Sequence, residues 1–188
     1  MRIPFNNIVN FILYKCTKFN IDESHSLNHA LEVLDYTKRI YNAEINNYPH
    51  IQKHQKIMYT SALLHDVCDS KYTDDSIKEL EKIRKFLDEN KYNSEEISII
   101  CNIIDSMSYS KVLKYGYPNL KDYQMCYHIV READLLCGYD FNRCLLFGIH
   151  KLNLTYTDSF VTSKELYNDR VQSMINNNMF VTTLGKTL

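Results

Sequence analysis

The sequence contains few residues that interrupt helices. It has 4 glycines, 3 prolines and no tryptophan among 188 residues. Because apolar residues recur at intervals of three and four along most of the chain, this scarcity predicts an almost entirely α-helical protein. The predicted helices lie near residues 4–19, 25–46, 51–67, 74–90, 94–107, 120–138, 140–151 and 161–177. A hydrophobic content of 45% at this length predicts one domain over residues 1–188.

Long apolar runs are also missing. No stretch approaches the roughly 18 uninterrupted apolar residues of a membrane helix. The start of the chain, MRIPFNNIVNFILY, carries asparagines where a secretory signal would be apolar. The six cysteines include no C-x-x-C pair, which disfavours a thiolate metal site or a disulfide framework. We therefore expect reduced, mostly buried thiols in a cytoplasmic protein that does not bind membranes.

The chain has no excess of charge of either sign. Lysine and arginine number 22 and aspartate and glutamate number 23, giving a formal net charge of −1. Such a balance provides no general attraction to the phosphate backbone of nucleic acid. Duplex nucleic acid is therefore not an expected partner, whereas a small molecule is. The oligomeric state is left open.

Two adjacent polar residues, His65 and Asp66, close the apolar run at residues 58–66. Desolvating a carboxylate at the end of a buried helix costs several kcal/mol unless a cation or a hydrogen-bond donor compensates for it. Neighbours on a regular helix diverge by about 100°, so we expect the helix to end or tighten there. A positive group is expected against this pair.

Two further residues of the same kind lie on apolar helical stripes. His29 begins a stripe that continues through residues 33, 36 and 40, and Asp134 belongs to a stripe with residues 123, 127, 130 and 137. Glu132 points away from that stripe. Two imidazoles and two carboxylates suit one divalent transition metal such as Mn, Fe, Co, Ni or Zn, and Mg is a further candidate. The predicted metal ligands are His29, His65, Asp66 and Asp134.

The order of these motifs resembles the HD-domain metal-dependent phosphohydrolase superfamily, and more locally its small single-domain branch of nucleotide pyrophosphohydrolases. The first motif of the branch, Asp-x-x-His-x-x-x-His, is similar to residues 22–29, and the second, His-Asp-x-x-Asp-x-Lys, to residues 65–71. A third match is Ser-Tyr-Ser-Lys at 108–111, and a fourth is the Ala-Asp that ends at Asp134. The resemblance covers about residues 20–150 and implies a single-domain helical bundle. A C-terminal helix and tail would occupy about 160–188.

The resemblance also implies roles for polar residues near the metal. Asp69, Lys71 and His25 are the expected catalytic residues. Lys71, Ser110, Lys111 and Arg143 are the expected substrate-binding residues, since developing charge on phosphoryl oxygens needs nearby cations. Alternatives from the residues themselves are a helix cap for Asp69, a hydrogen-bonded helix start for His25 and solvated surface positions for the lysines.

The last motif departs from the branch. This chain has Leu135 where the branch has an arginine after its Asp-Ala-Asp. Arg143 supplies the missing cation in one interpretation, and in the other it is an arginine whose stem packs on a core helix. The loop at residues 109–122 is either a lid that stacks on a base or an ordinary surface loop.

The site chemistry predicts hydrolysis of a phosphoester or phosphoanhydride, and the resemblance implies that the substrate is a nucleotide or related small phosphate compound. A metal with open positions lowers the pKa of bound water and polarises phosphorus. Pyrophosphate release from a (deoxy)nucleoside triphosphate is the most specific version, and phosphomonoester or cyclic phosphodiester hydrolysis is the alternative enzyme. A catalytically silent nucleotide-binding HD module and a metal-free helical bundle are the alternatives that are not enzymes. His50, His128 and His150 are expected to be surface or hydrogen-bonded core residues. His54 precedes His65 by roughly 16 Å along a helix, which is too far for the two to share a metal.

Overall fold

A computed structural model describes residues 3–22, 25–68, 72–73, 75–138 and 140–187. The described residues form ten α-helices and no strand, which confirms the all-α prediction. Two short 3-10 helices, Pro49–His54 and Lys121–Tyr123, precede α3 and α7. The α-helices are α1 (Phe5–Phe19), α2 (Leu27–Glu44), α3 (Gln55–Leu64), α4 (Ser76–Glu89), α5 (Ser94–Ser106), α6 (Tyr109–Tyr115), α7 (Gln124–Cys137), α8 (Phe141–Lys151), α9 (Tyr156–Asn176) and α10 (Thr183–Thr187).

The prediction of an irregular stretch at residues 109–122 was wrong over its first half, where α6 forms. The hydroxyl of Ser108 caps this helix by accepting a hydrogen bond from the backbone nitrogen of Lys111 at 3.4 Å. The helix ends at Gly116, which has a positive φ of 75° that favours glycine. α9 likewise begins before the predicted residue 161, because Thr155 caps it through the backbone nitrogen of Asp158.

The core surrounds α7, in which nearly every residue is buried. This helix packs against α2, α3 and α5, so a polar side chain on its surface is removed from water unless it faces a cavity. All six cysteines lie within the described residues and none forms a disulfide. In the described part of the chain, no helix has both the length and the apolar character needed to cross a membrane.

The C-terminal segment 179–187 packs onto the outer side of α7 through a buried carboxylate. Glu132 is fully buried, and its side chain accepts hydrogen bonds from the backbone nitrogens of Val181 at 2.7 Å and Thr182 at 3.0 Å. Arg131, also fully buried, donates to Glu132 and to the carbonyl of Met179. Glu132 therefore points away from Asp134, as its position predicted, but toward the segment instead of toward solvent.

α8 and α9 form a closely packed pair. At Gly148 an added Cβ would lie 2.2 Å from the hydroxyl oxygen of Ser159, so only glycine allows this approach. Ser159 donates its hydroxyl to the carbonyl of Leu145 at 2.8 Å. The other end of α9 is attached to α6, since the hydroxyls of Ser173 and Tyr109 are hydrogen-bonded. These contacts hold α9 beside the cavity described below.

Candidate metal centre

Three different elements bring the four predicted metal ligands together. His29 lies in the first turn of α2, which begins after the Ser26 cap. α3 ends at Leu64, and the turn at residues 65–68 directs both His65 and Asp66 inward, as expected from their adjacency. Asp134 comes from the last turn of α7. Residues far apart in sequence thus share one location at the end of the helical core.

The Nε2 atoms of the two histidines lie close to each other and to one carboxylate oxygen of each aspartate. His29 Nε2 lies 3.3 Å from Asp66 Oδ2 and 3.3 Å from Asp134 Oδ1. His65 Nε2 lies 3.2 Å and 3.5 Å from the same two oxygens and 3.1 Å from His29 Nε2. Ligands bound at about 2.1 Å are separated by roughly 3 to 3.5 Å. His29, His65 and Asp66 form a group whose ligand atoms all lie within 4.8 Å of one another, and Asp134 lies beside both histidines, so these side chains can surround a single ion.

Two details of the donor atoms fit a divalent cation. His65 Nδ1 donates to the carbonyl of Ala62 at 2.9 Å, which leaves the lone pair of Nε2 directed at the centre. Asp66 Oδ2 is buried and finds no hydrogen-bond partner among the described residues. A buried carboxylate oxygen without a donor is costly, and a cation would compensate for it. The donor set therefore fits a divalent metal, without specifying which.

The histidines and carboxylates of the centre shift one another's pKa values. Burial lowers the pKa of His65, but the negative charges of Asp66 and Asp134 close to its ring raise it to about 10. Burial raises the pKa values of Asp66 and Asp134, but the neighbouring His65 and His29 hold both pKa values well below their usual range. The pair of carboxylates thus requires a positive partner. A divalent cation would replace the histidine proton, so its binding releases a proton.

A cavity of about 590 Å³ opens beside this centre. Its wall includes four of the residues predicted to bind substrate or to act in catalysis, namely His25, Ser110, Lys111 and Arg143. The other two, Asp69 and Lys71, lie outside the described residues. Apolar side chains from α4, α5, α7 and α9 and from the residue after α5 form another part of the wall: Ile77, Leu80, Ile104, Met107, Leu135 and Met174.

Arg143 faces the centre. Its Nη1 lies 3.6 Å from Asp134 Oδ1 and its Nη2 lies 3.9 Å from Asp66 Oδ2. The side chain is 14% exposed, so it does not extend from the core into solvent as in the other interpretation of the sequence. α8 therefore places a cation beside the two carboxylates of the centre.

His25 is oriented by a residue that the sequence analysis did not single out, Tyr72. The Tyr72 hydroxyl donates to Asp22 Oδ2 at 2.6 Å. The Tyr72 hydroxyl oxygen also lies 2.9 Å from His25 Nδ1. The hydroxyl has one proton, so His25 Nδ1 must be the donor in the second contact. The available signal was the position of Tyr72, directly after the second motif.

Lys111 is less available than its motif suggested. Its ammonium donates to Asp105 Oδ1 at 2.7 Å and to the carbonyl of the same residue. Its charge is therefore largely balanced within the protein. The cavity wall also contains Arg170 from α9, which sequence reasoning missed because it lies among polar residues with no motif around it.

Comparison with known proteins gives one match. A family model described as HD domain matches residues 26–139, which include His29, His65, Asp66 and Asp134. No curated protein and no solved structure matches the chain. The match covers more than half of the chain and contains three of the four sequence motifs.

Proposed function

Because the chain belongs to the HD-domain family, whose members are in general metal-dependent phosphohydrolases, we propose that it hydrolyses a nucleotide or a related small phosphate compound. The observation that carries this proposal is the convergence of four metal-binding side chains beside a cavity that also contains Arg143. The cavity volume lies within the range of about 300–1,000 Å³ usual for small-molecule sites.

When bound, the metal supplies a water of lowered pKa and polarises a phosphoryl oxygen. The residues of the chain supply the rest. His29, His65, Asp66 and Asp134 hold the ion, and the Arg143 guanidinium binds and stabilises the charged phosphoryl oxygens. The planar guanidinium can donate two parallel hydrogen bonds to one phosphoryl group, which also fixes its orientation.

His25 is proposed to exchange a proton with the substrate or with water. With Nδ1 held as a donor to Tyr72, its Nε2 is the atom that accepts or releases the proton. Its position in the cavity wall, in edge contact with the His29 ring, supports this role. Asp69 and Lys71 are proposed as further catalytic residues on the basis of the second motif alone.

The most specific version of the proposal is release of pyrophosphate from a (deoxy)nucleoside triphosphate. The four sequence motifs support it, and Arg143 compensates for the arginine missing from the last motif. The apolar part of the cavity wall offers a surface for a nucleobase. Phosphomonoesterase and cyclic phosphodiesterase activities use the same centre and differ in product.

The test is product analysis after incubation of the metal-loaded protein with nucleoside mono-, di- and triphosphates and cyclic nucleotides, Mn²⁺ being supplied. Ion-exchange chromatography separates the products. We expect a monophosphate and pyrophosphate from a triphosphate, and no product from the Asp66→Ala variant. Free phosphate or an opened cyclic nucleotide would instead indicate one of the alternative reactions. Absence of any product from protein with bound metal would contradict nucleotide hydrolysis and favour a silent binding module.

A further inference from the structure

The two ring nitrogens of His29 face different surroundings. Its Nε2 lies at the metal centre, 3.1 Å from His65 Nε2 and 3.3 Å from Asp66 Oδ2. Its Nδ1 is buried and has no hydrogen-bond partner among the described residues. The other histidine of the centre differs, because His65 Nδ1 is paired with the carbonyl of Ala62 at 2.9 Å. The ring of His29 therefore lacks the support that the ring of His65 has.

Metal binding through Nε2 leaves His29 Nδ1 with a proton to donate. The ion takes the lone pair of Nε2, so the neutral ring carries its hydrogen on Nδ1. A buried N–H group without an acceptor is unfavourable. Histidine ligands almost always donate this N–H to a carboxylate, a backbone carbonyl or water, which fixes the ring and makes it a stronger ligand. The metal-loaded centre therefore requires an acceptor beside His29 Nδ1.

Glu32 is an acceptor within reach of this nitrogen. It follows His29 by three residues on α2, so the two side chains lie on one face of the helix. A ring nitrogen of His29, a carboxylate oxygen of Glu32 and the sulfur of Cys137 lie within 4.8 Å of one another. Nε2 points away from α2 toward His65, so Nδ1, the ring nitrogen nearer its own backbone, is the one that faces Glu32. A small rotation of the exposed Glu32 side chain brings its carboxylate into hydrogen-bond distance.

The surroundings of the Glu32 carboxylate favour this contact. Asn28, one turn earlier on α2, donates from its side-chain amide to Glu32 Oε1 at 3.0 Å. This bond holds the carboxylate beside the first turn of α2 and leaves Oε2 to accept a second donor. Because burial raises the pKa of the Cys137 thiol, the thiol stays neutral and is a much weaker acceptor than the carboxylate. Glu32 is therefore the stronger partner for the N–H of His29.

We propose that Glu32 is a positioning residue of the metal centre, whose carboxylate accepts the Nδ1–H of His29 when the ion is bound and so strengthens metal binding. The proposal rests on the metal-dependent function proposed above, but not on the identity of the substrate. Glu32 lines a separate cavity of about 500 Å³ between α2 and the end of α7, on the other side of His29 from the substrate cavity. Its effect therefore reaches the ion only through the His29 ring.

The test measures the affinity for Mn²⁺ by calorimetry, without substrate. Glu32→Ala should raise the Kd for Mn²⁺ by roughly 10- to 100-fold. Glu32→Gln should raise it less, because an amide oxygen still accepts the hydrogen bond although it carries no charge. Asp35→Asn is the matched control and should leave the Kd nearly unchanged, since Asp35 is an exposed carboxylate of α2 in the same cavity wall and is paired with Arg39. Thermal unfolding of the metal-free variants should match that of the metal-free native protein.

Each result bears on either the role of Glu32 or the metal centre itself. Unchanged affinity in both Glu32 variants, or equal losses in Glu32→Ala and Glu32→Gln, would refute the hydrogen bond while the metal centre stands. Two Mn²⁺ ions per chain, reduced to one by Cys137→Ser, would show that Glu32 is itself a ligand and would also refute the proposal. A native protein that binds no Mn²⁺ would refute the metal centre and the role of Glu32 together. Hydrolysis is not measured, so a failure of the substrate proposal is detected separately.

Discussion

The carboxylate of Glu132 accepts a hydrogen bond from the backbone nitrogen of Thr182 at 3.0 Å, and this contact joins the C-terminal segment to the helix that carries Asp134. The hydroxyl of Thr182 donates to the same carboxylate at 2.6 Å. Arg131, also fully buried, balances its charge. The buried Glu132 carboxylate thus accepts several hydrogen bonds from residues 181 and 182 and one from Arg131 of its own helix.

Replacing Glu132 by Gln should destabilise the protein by about 3 kcal/mol. The variant leaves Arg131 buried with an uncompensated charge and places an amide NH₂ against backbone donors. Urea unfolding monitored by circular dichroism gives the change in the free energy of unfolding. Glu81→Gln, an exposed position of α4, should change it by less than about 0.5 kcal/mol. Equal effects of the two substitutions would show that the Glu132 contacts contribute little.

A second prediction concerns the approach of α8 to α9. Gly148→Ala places a Cβ 2.2 Å from the Ser159 hydroxyl and should cost about 1–3 kcal/mol, because the helices must separate. Ser159→Gly removes the obstructing atoms, but it also costs about 1 kcal/mol for glycine in a helix and about 1 kcal/mol for the lost hydrogen bond to the Leu145 carbonyl. The double variant should therefore be less destabilised than the sum of the two single variants. Urea unfolding of the native protein, the two single variants and the double variant gives the coupling energy between residues 148 and 159. Additive losses would contradict a direct steric contact.

The metal ligands could be predicted from the sequence because each breaks a local pattern. His65 and Asp66 end an apolar run, and His29 and Asp134 occupy apolar stripes, so their burial without a cation is unfavourable. The cations of the cavity show no such local pattern: Arg143 and Lys111 were expected only from the resemblance, and Arg170 was missed. Arg143 and Arg170 reach the cavity only because α8 and α9 fold back to the end of α7, where Arg143 lies near Asp134 and Met174 lies near Gly138.

Helix α6 could not be predicted from the sequence either, for a local reason. Its seven residues follow a serine cap and end at a glycine, but the tyrosines and lysines around it resemble a polar loop. Most of its side chains are exposed and only Val112 is buried, so no apolar stripe indicated a helix. Short helices of this kind are stabilised by their caps and by tertiary contacts, which a periodicity argument does not capture.

A third prediction tests the metal centre directly. Asp66→Ala should lower the affinity for Mn²⁺ by more than roughly 100-fold, since even residues that support a ligand contribute 10–100-fold. Metal content after dialysis, measured by mass spectrometry, is the readout. Asp35→Ala is the control, because Asp35 is an exposed carboxylate of α2 paired with Arg39 at 2.7 Å. Equal metal retention by the two variants would contradict the assignment of Asp66 as a ligand.

The last prediction concerns pH and His128, which is remote from the metal ligands in the described structure. Burial, followed by the charge of Arg131, lowers the pKa of His128 to about 4. Its Nε2 accepts a hydrogen bond from the Gln124 amide at 3.2 Å, an arrangement that requires the neutral ring. In the unfolded chain the pKa returns to about 6.5. The unfolded state therefore takes up the proton first as the pH falls.

The free energy of unfolding should thus be unaffected by His128 above about pH 6.5 and should decrease between pH 6.5 and 4. The full loss is about 2–3 kcal/mol after allowance for partial solvation. His128→Gln removes this dependence, so the difference between native protein and variant should shrink or reverse as the pH falls through this window. His150→Gln, at a solvent-exposed position of α8, provides the matched control. Parallel pH curves for the native protein and His128→Gln would show that His128 is protonated equally in both states, contrary to its burial.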